Sequence, residues 1–143
     1  MRISTKGRYS LAALVFMATL PKDVYTTTKE IAAVADTSEG YIEQLFIQLR
    51  ALGVIEGLRG RNGGYALAKP SEKIRIGDIL RACEGSLKPA LCVDSDTCPS
   101  EKKCLSRRTW KTVYKAINDC LDSISLRDLA DDYNAHENPG YII

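Results

Sequence analysis

The sequence has little of what an enzyme of this size would need. Its single histidine, His136, stands in a polar stretch near the end of the chain, so a nucleophilic cysteine would lack its usual base. Neither a Gly-x4-Gly-Lys-Ser/Thr nor a Gly-x-Gly-x-x-Gly pattern occurs, which disfavours the common nucleotide-binding loops. Ferredoxin-type cysteine spacings are missing too. We therefore expect neither an enzyme nor a small iron-sulfur electron carrier.

Long apolar segments are also missing. The most apolar stretch, LAALVFMATL, follows several basic residues as in a signal peptide, but it is too short to cross a bilayer and no small-x-small cleavage site follows it. Five cysteines, an odd number, disfavour a fully paired secreted disulfide framework. We expect a soluble cytoplasmic protein without membrane contact, in which closely spaced cysteines more often serve metal or redox chemistry.

The small net charge of +2 conceals an asymmetry between the two parts of the chain. Residues 1–82 carry twelve lysines and arginines against eight carboxylates, or +4, whereas residues 83–143 carry eight against ten, or −2. An anionic partner is therefore expected to meet the N-terminal part.

The N-terminal part has the periodicity of three helices, the first at about residues 5–20. Thr27 and Glu30 have capping-box spacing before a short second helix that ends near Asp36. Ser38 is a suitable N-cap for the third helix. The apolar residues of that helix form one stripe: Ile42, Leu45, Phe46, Leu49 and Leu52.

The opposite side of the third helix is polar and aromatic, with Tyr41, Glu43, Gln44, Gln48 and Arg50. A helix that reads the DNA major groove has such a face, because Gln, Glu and Ser can hydrogen-bond base edges. Taken alone, the pattern also describes an amphipathic helix with a solvated face.

The next segment favours the DNA-binding interpretation. VIEGLR and YALAKP predict two short strands around a glycine-rich turn. Arg59 and Arg61 fall at the tip of this hairpin, where a narrow, negative minor groove would attract a guanidinium. A helix-turn-helix followed by such a hairpin predicts a winged helix.

These segments carry a resemblance to a known family. MRISTKGRYSLAAL, SEGYIEQLFIQLR, RGRNGGYALAKP and three evenly spaced cysteines together resemble the bacterial winged-helix regulators of the IscR, NsrR and CymR type across nearly the whole chain. The resemblance implies a homodimer on an inverted-repeat DNA operator, with the third helix in the major groove and the wing in the minor groove. The DNA-binding residues that it suggests are Ser38, Tyr41, Glu43, Gln44, Arg59 and Arg61.

The three cysteines, Cys92, Cys98 and Cys104, lie in a polar segment that has little reason to keep thiols for packing. Thiolates favour zinc or iron-sulfur clusters, and either normally requires four ligands. In the cluster-assembly regulators that the chain resembles, a histidine at the place of Arg107 is the fourth ligand. In the nitric-oxide-sensing branch it is an aspartate at the place of Arg8 on the partner's first helix. The fourth ligand is therefore unknown.

Several interpretations of the trio stay open. A cluster held by three thiolates would take an exogenous or carboxylate fourth ligand, for which Asp94, Asp96 and Glu101 are the nearby candidates. Arginines could instead favour the thiolates and make the trio a metal-free redox or persulfide switch. A structural zinc is less favoured because it also needs four protein ligands. The remaining alternative is that the thiols have no role.

The C-terminal part predicts a dimerisation helix. Trp110, Val113, Ile117, Cys120 and Ile124 follow each other at steps of three and four, as in a short coiled coil. Cys120 is expected in this seam and Cys83 in the core. Ser125 and Asp128 fit the cap of a short final helix.

The fold class predicted is mainly α with a small β-hairpin: a winged helix-turn-helix plus a long dimerisation helix. We divide the chain into a DNA-binding domain (1–70), a connecting helix with the cysteine-bearing loop (71–104), the dimerisation and final helices (105–134) and a flexible tail (135–143).

The tail ends in Tyr141, Ile142 and Ile143 after a polar tether. It resembles the tails with which serine acetyltransferase, and the cysteine-metabolism repressor of this family, enter the active site of cysteine synthase. A free carboxylate captured by backbone donors beside a pocket for Ile would suit such binding. Docking of the tail on its own dimer is the alternative.

Overall fold

The structure, a computed structural model, describes residues 1–95, 98–100 and 102–136. These residues form six α-helices, a two-stranded antiparallel sheet and one 3₁₀ turn, which confirms the predicted fold class. In chain order the elements are α1 (Thr5–Thr19), α2 (Thr28–Val34), α3 (Glu39–Ala51), β1 (Ile55–Leu58), β2 (Gly64–Leu67), the 3₁₀ turn (Ser71–Lys73), α4 (Ile76–Glu84), α5 (Arg107–Ser123) and α6 (Leu126–His136).

Side-chain caps fix where the first three helices begin. The hydroxyl of Ser4 accepts the Gly7 N–H at the start of α1, and that of Ser38 accepts the Tyr41 N–H at the start of α3. At α2 the predicted capping box is confirmed: the Thr27 hydroxyl accepts the Glu30 N–H, and the Glu30 carboxylate accepts the Thr27 N–H at 2.7 Å. Each cap satisfies N–H groups that have no partner inside the helix, so the helix starts are set locally.

The hydrophobic core is organised around α1. This helix packs against α2, α3 and β2 from residues 1–70, and against α4 and α6 from the C-terminal part. Leu14 of α1, Phe46 of α3 and Leu126 of α6 belong to the same buried cluster. The core therefore continues across residue 70, so α1, α2 and α3 share it with elements from the C-terminal part.

The wing is tied to the rest of the molecule at its base. β1 and β2 pair from Ile55 with Leu67 to Leu58 with Gly64. Tyr65 of β2 also exchanges both backbone hydrogen bonds with Thr26, at 2.8 and 2.9 Å, just before α2. Gly64 is required here: its φ is +150°, and a Cβ would lie 2.5 Å from the Thr26 carbonyl oxygen. The wing base and the start of α2 consequently form one unit.

Two helix ends differ from the expectation. The second helix ends at Val34 rather than near Asp36, because Asp36 has a φ of 50° and forms the turn into α3; Asp tolerates this left-handed conformation better than most residues. Leu52, predicted in the buried stripe of α3, is 47% exposed. It follows the last helical residue as the C-cap, so the helical periodicity no longer directs it inward.

The C-terminal helices are joined by polar contacts. Arg81 of α4 donates to Asn118 and Asp122 of α5. The predicted cap of α6 is confirmed, since the Ser125 hydroxyl accepts the Asp128 N–H at 3.1 Å and the Asp128 carboxylate accepts from Ser125 at 2.7 Å. Cys83 is buried, as predicted. Within the described ranges, no helix is both long and apolar enough to span a membrane.

Candidate nucleic-acid interface and cysteine loop

The solvent side of α3 carries the side chains expected to read bases. Glu43 and Gln44 are exposed, while Ile42, Leu45, Phe46 and Leu49 on the opposite side are buried. The Thr28 hydroxyl of α2 donates to the Glu39 carboxylate at 2.9 Å, which joins the two helices at the entry to α3. This contact was not foreseen, since it depends on the angle between the helices. The helix α3 is thus fixed by its buried apolar side and by the hydrogen bond between Thr28 and Glu39 at its N-terminal end, so its polar side faces solvent.

Two of the predicted base-reading residues also have structural contacts. Ser38 uses its hydroxyl oxygen as the acceptor for the α3 cap, which leaves its O–H able to donate outward. Tyr41 is half-buried, and its ring meets that of Tyr9 from α1 edge to face at 5.7 Å between centroids. Tyr41 therefore links the recognition helix to the central helix as well as lying beside the polar face.

The wing tip is short, exposed and positively charged. Arg59 follows β1 directly, and Arg61 lies in the turn that the Gly63 N–H closes on the Gly60 carbonyl at 3.0 Å. Both arginines are exposed. In the portion of the chain that the structure describes, neither forms an ion pair with a carboxylate. A guanidinium that is unpaired and exposed on a narrow hairpin can enter a groove without first breaking an internal contact.

The cysteine loop, residues 85–106, joins α4 to α5 and contains only turns among its described residues. It is anchored by the buried side chains of Leu87 and Val93. A polar network that the sequence did not reveal also holds it: Lys88 pairs with Asp94 at 3.0 Å, and Ser86 bonds to both Asp94 and Tyr114 of α5 at 3.3 Å. Lys88 lowers the pKa of the Asp94 carboxyl.

The predicted thiols Cys92, Cys98 and Cys104 are unpaired and half-buried. Hydrogen bonds from the backbone N–H and the hydroxyl of Ser106 lower the pKa of the Cys104 thiol, with a smaller contribution from Arg107. The Cys104 sulfur lies 3.7 Å from the Ser106 oxygen. Thiolate formation at Cys104 is therefore favoured by its position just before α5.

Arg107 stands where a fourth ligand was sought, as the first residue of α5. Its side chain is buried at 6% exposure, and Nη2 donates to the Ser95 carbonyl at 2.9 Å. A guanidinium has no lone pair to give a metal. The residue thus closes the loop onto α5 instead of coordinating.

An iron-sulfur cluster or a zinc ion would need several of these donors close together. Across 1–95, 98–100 and 102–136, no three His, Cys, Asp or Glu side chains are grouped so as to hold a metal ion. His136 bonds to the Asp132 carbonyl one turn earlier in α6, and Arg8 is exposed on α1. The described residues alone therefore do not form a closed four-ligand site. The candidate ligands Asp96 and Glu101, and the tail residues Tyr141, Ile142 and Ile143, lie outside the described residues.

The architecture defines a class before any relative is considered: a helix-turn-helix whose second helix offers a polar face, followed by a basic hairpin, is a winged-helix DNA-binding protein. Residues 3–132 match the Rrf2 family, described as an iron-dependent transcriptional regulator. The chain belongs to the Rrf2 family of transcriptional regulators, and its function is DNA-binding transcription regulation.

Named relatives agree over nearly full length. The chain is 36% identical to the HTH-type transcriptional regulator CymR of Bacillus subtilis over 142 residues, 99% of this chain and 98% of CymR. It is 30% identical to the regulator IscR of Yersinia pseudotuberculosis over 137 residues, 96% and 84% of the two chains.

Solved structures agree as well. CymR of B. subtilis, described as its global cysteine regulator, superposes with a TM-score of 0.78 at 36% identity, covering 92% of this chain and 98% of that one. IscR of T. potens superposes with a TM-score of 0.77 at 35% identity, covering 96% and 92%.

Proposed function

We propose that this regulator is a cytoplasmic repressor that binds an inverted-repeat operator as a homodimer. In this proposal α3 enters the major groove and presents Ser38, Tyr41, Glu43 and Gln44, while Arg59 and Arg61 enter the minor groove. Two features together carry the proposal: the polar face of α3 is exposed, and the arginines at the wing tip are exposed without an ion-pair partner among the described residues. Phosphate contacts from the basic half would add affinity that falls with salt.

The dimer is supported by the exposed surface of α5. In a single chain, Arg107 is the one buried residue of this 17-residue helix. Trp110 is 40% exposed and Cys120 is exposed, while Val113 and Ile117 are only half-buried. An apolar stripe left open along a helix is the surface that a second copy of α5 would cover. We therefore assign 105–134 to dimerisation, with 1–70 as the DNA-binding domain.

DNA binding is tested with duplexes selected from a random pool by the full-length protein. Arg59→Ala should weaken binding about 5- to 150-fold, because one good groove contact contributes about 1–3 kcal/mol. Arg75→Ala is the matched control, since this exposed arginine lies just before α4, outside the residues assigned to DNA binding and to dimerisation. Equal affinities of wild type and Arg59→Ala in a fluorescence-anisotropy titration would remove the wing from the interface.

For the signal, we propose that the cysteine loop adjusts operator affinity to iron-sulfur or cysteine status. Its position supports this: the loop is bonded to α5 through Ser86 and Arg107, and it leaves three unpaired thiols half-buried. Because the described donors form no closed site, a metal-free thiol switch is the second candidate, and the lowered pKa of Cys104 favours it.

Anaerobic purification followed by iron and sulfide analysis separates these two candidates. A cluster regulator should contain both elements and lose them in the variant with Cys92, Cys98 and Cys104 changed to Ala. A thiol switch should contain neither, and its operator affinity should change on oxidation and return on reduction. If neither iron nor oxidation affects binding, the loop is not the sensor.

Control through the C-terminal tail is a further candidate, supported by the similarity to CymR, which extends over 142 residues. We propose that Tyr141, Ile142 and Ile143 bind cysteine synthase. Deleting the three residues should abolish co-purification with added cysteine synthase while operator binding stays intact. Equal recovery of the complex with the truncated chain would refute the proposal.

A further inference from the structure

An isoleucine interrupts the polar surface of the recognition helix. Ile47 of α3 is 71% exposed, more than any other large apolar side chain in the described helices. Its neighbours in the chain, Phe46 and Gln48, do not share its situation: Phe46 is buried in the core, and Gln48 is exposed but polar. No element of the described chain covers Ile47, so its apolar surface is available to something outside the monomer.

The position of Ile47 places it with the base-reading residues. Gly40, Glu43, Gln44 and Ile47 are spaced i, i+3, i+4 and i+7, and all four are exposed. On an α-helix this spacing forms one continuous stripe. The recognition helix of homeodomains contacts DNA through four positions with the same spacing. A helix lying along the major groove would therefore bring Ile47 to base edges about one turn beyond Glu43 and Gln44.

The chemistry of the groove identifies what an isoleucine can contact there. Of the base edges in the major groove, that of thymine presents an apolar group, its C5-methyl, and apolar side chains are the ones that pack against it. Gly40 supports the close approach, since a Cβ at this position would meet no atom within 4 Å and no side chain holds the helix away from the groove.

We propose that Ile47 is a specificity-determining residue that packs on the methyl group of a thymine in each operator half-site. This inference rests on the proposed placement of α3 in the major groove. It adds an apolar contact to the hydrogen-bonding side chains Glu43 and Gln44, and it assigns this chain a base preference that those residues do not supply.

The test replaces each thymine of a selected operator, in turn, by deoxyuridine, which lacks only the methyl group. Wild type should lose about fourfold in affinity at one thymine per half-site, as expected for about 0.8 kcal/mol from one buried methyl. Ile47→Ala should bind the unmodified operator more weakly and show no further loss with deoxyuridine at that position. Since Ile47 is exposed, this variant should melt at the wild-type temperature.

Val34→Ala is the matched control, because Val34 is a 54% exposed aliphatic side chain on the neighbouring helix α2. This variant should keep the deoxyuridine effect of wild type. If wild type binds every deoxyuridine operator as tightly as the parent, or if Ile47→Ala shows the same deoxyuridine loss as wild type, the thymine contact is refuted while DNA binding stands. A wild-type protein that selects no duplex at all would instead refute the placement on which both proposals depend.

Discussion

The proposed DNA-binding domain, residues 1–70, and the cysteine loop, residues 85–106, are built in opposite ways. The first is held by capped helices and a shared core, whereas the second consists of turns fixed by two buried side chains and a few polar contacts. The polar face of α3 and the arginines of the wing tip both lie within residues 1–70 of one chain. The thiols, in contrast, have no closed set of partners among the described residues. A loop held by so few contacts can change chemically without unfolding residues 1–70, as the proposed sensing role requires.

Stability should depend on the core and hardly on the loop. Phe46→Ala should lower the free energy of unfolding by about 3–5 kcal/mol, because Phe46 is 1% exposed and its removal leaves a cavity. Leu105→Ala, at a fully exposed site in the loop, should change it by no more than about 0.5 kcal/mol. Urea denaturation at one protein concentration measures both. Similar losses for the two variants would show that the loop is part of the cooperative core.

For thiol reactivity, we expect the loop to show the larger effect and the core the smaller one. Cys104 should be alkylated by iodoacetamide well before Cys83, because Cys83 is buried while Ser106 favours the thiolate of Cys104. Peptide mass spectrometry at successive times gives the two rates. Ser106→Ala should slow the alkylation of Cys104 at neutral pH and leave that of Cys92 in the same loop unchanged, whereas equal slowing of both would point to a general effect.

The smallest expected effect is a difference in how salt changes the pKa values of two carboxyls, Glu30 and Asp94. The pKa of Glu30 is lowered mainly by the Thr27 backbone N–H, and that of Asp94 mainly by the Lys88 ammonium. Each carboxylate therefore favours the folded state above the ordinary pKa of about 4, and this contribution is lost as the pH falls through the lowered value. In NMR titrations, high salt should raise the pKa of Asp94 towards its ordinary value more than that of Glu30, because salt screens an exposed ion pair.

Lys88→Ala should have the same effect on Asp94 at low salt. If salt moved both carboxyls equally, the contrast between a backbone cap and an ion pair would be wrong.

The sequence predicted the helices and strands of residues 1–70 well because their signals are local. Caps such as Ser38 and Thr27, helical periodicity and a glycine-rich turn each act over a few residues, and the structure confirms the elements that they predict. The exceptions are the end of α2 and the exposure of Leu52, which both depend on the residue at which a helix stops. Which exposed side chains contact DNA stays a prediction.

The cysteine loop was harder to predict because its contacts join residues distant in sequence. The spacing of the cysteines singled out the segment, but it could not show that Arg107 would turn to Ser95 or that Ser86 would reach Tyr114. A four-ligand site also requires that the ligands meet in space, which their spacing along the chain does not determine. Among the described residues, the thiols are not grouped with further donors that could complete a metal site.

The backbone bridge between Tyr65 and Thr26 has a consequence for the operators that this protein can occupy. With Gly64 fitted against the Thr26 carbonyl, any sliding of the wing relative to the start of α2 would break the hydrogen bonds between Tyr65 and Thr26. If α3 and the wing enter adjacent grooves, the protein fixes the spacing between the two stretches of DNA that they contact. A single base pair inserted between the two contacted stretches would shift one of them by about 3.4 Å along the helix axis. The protein would then have to give up one of its two contacts.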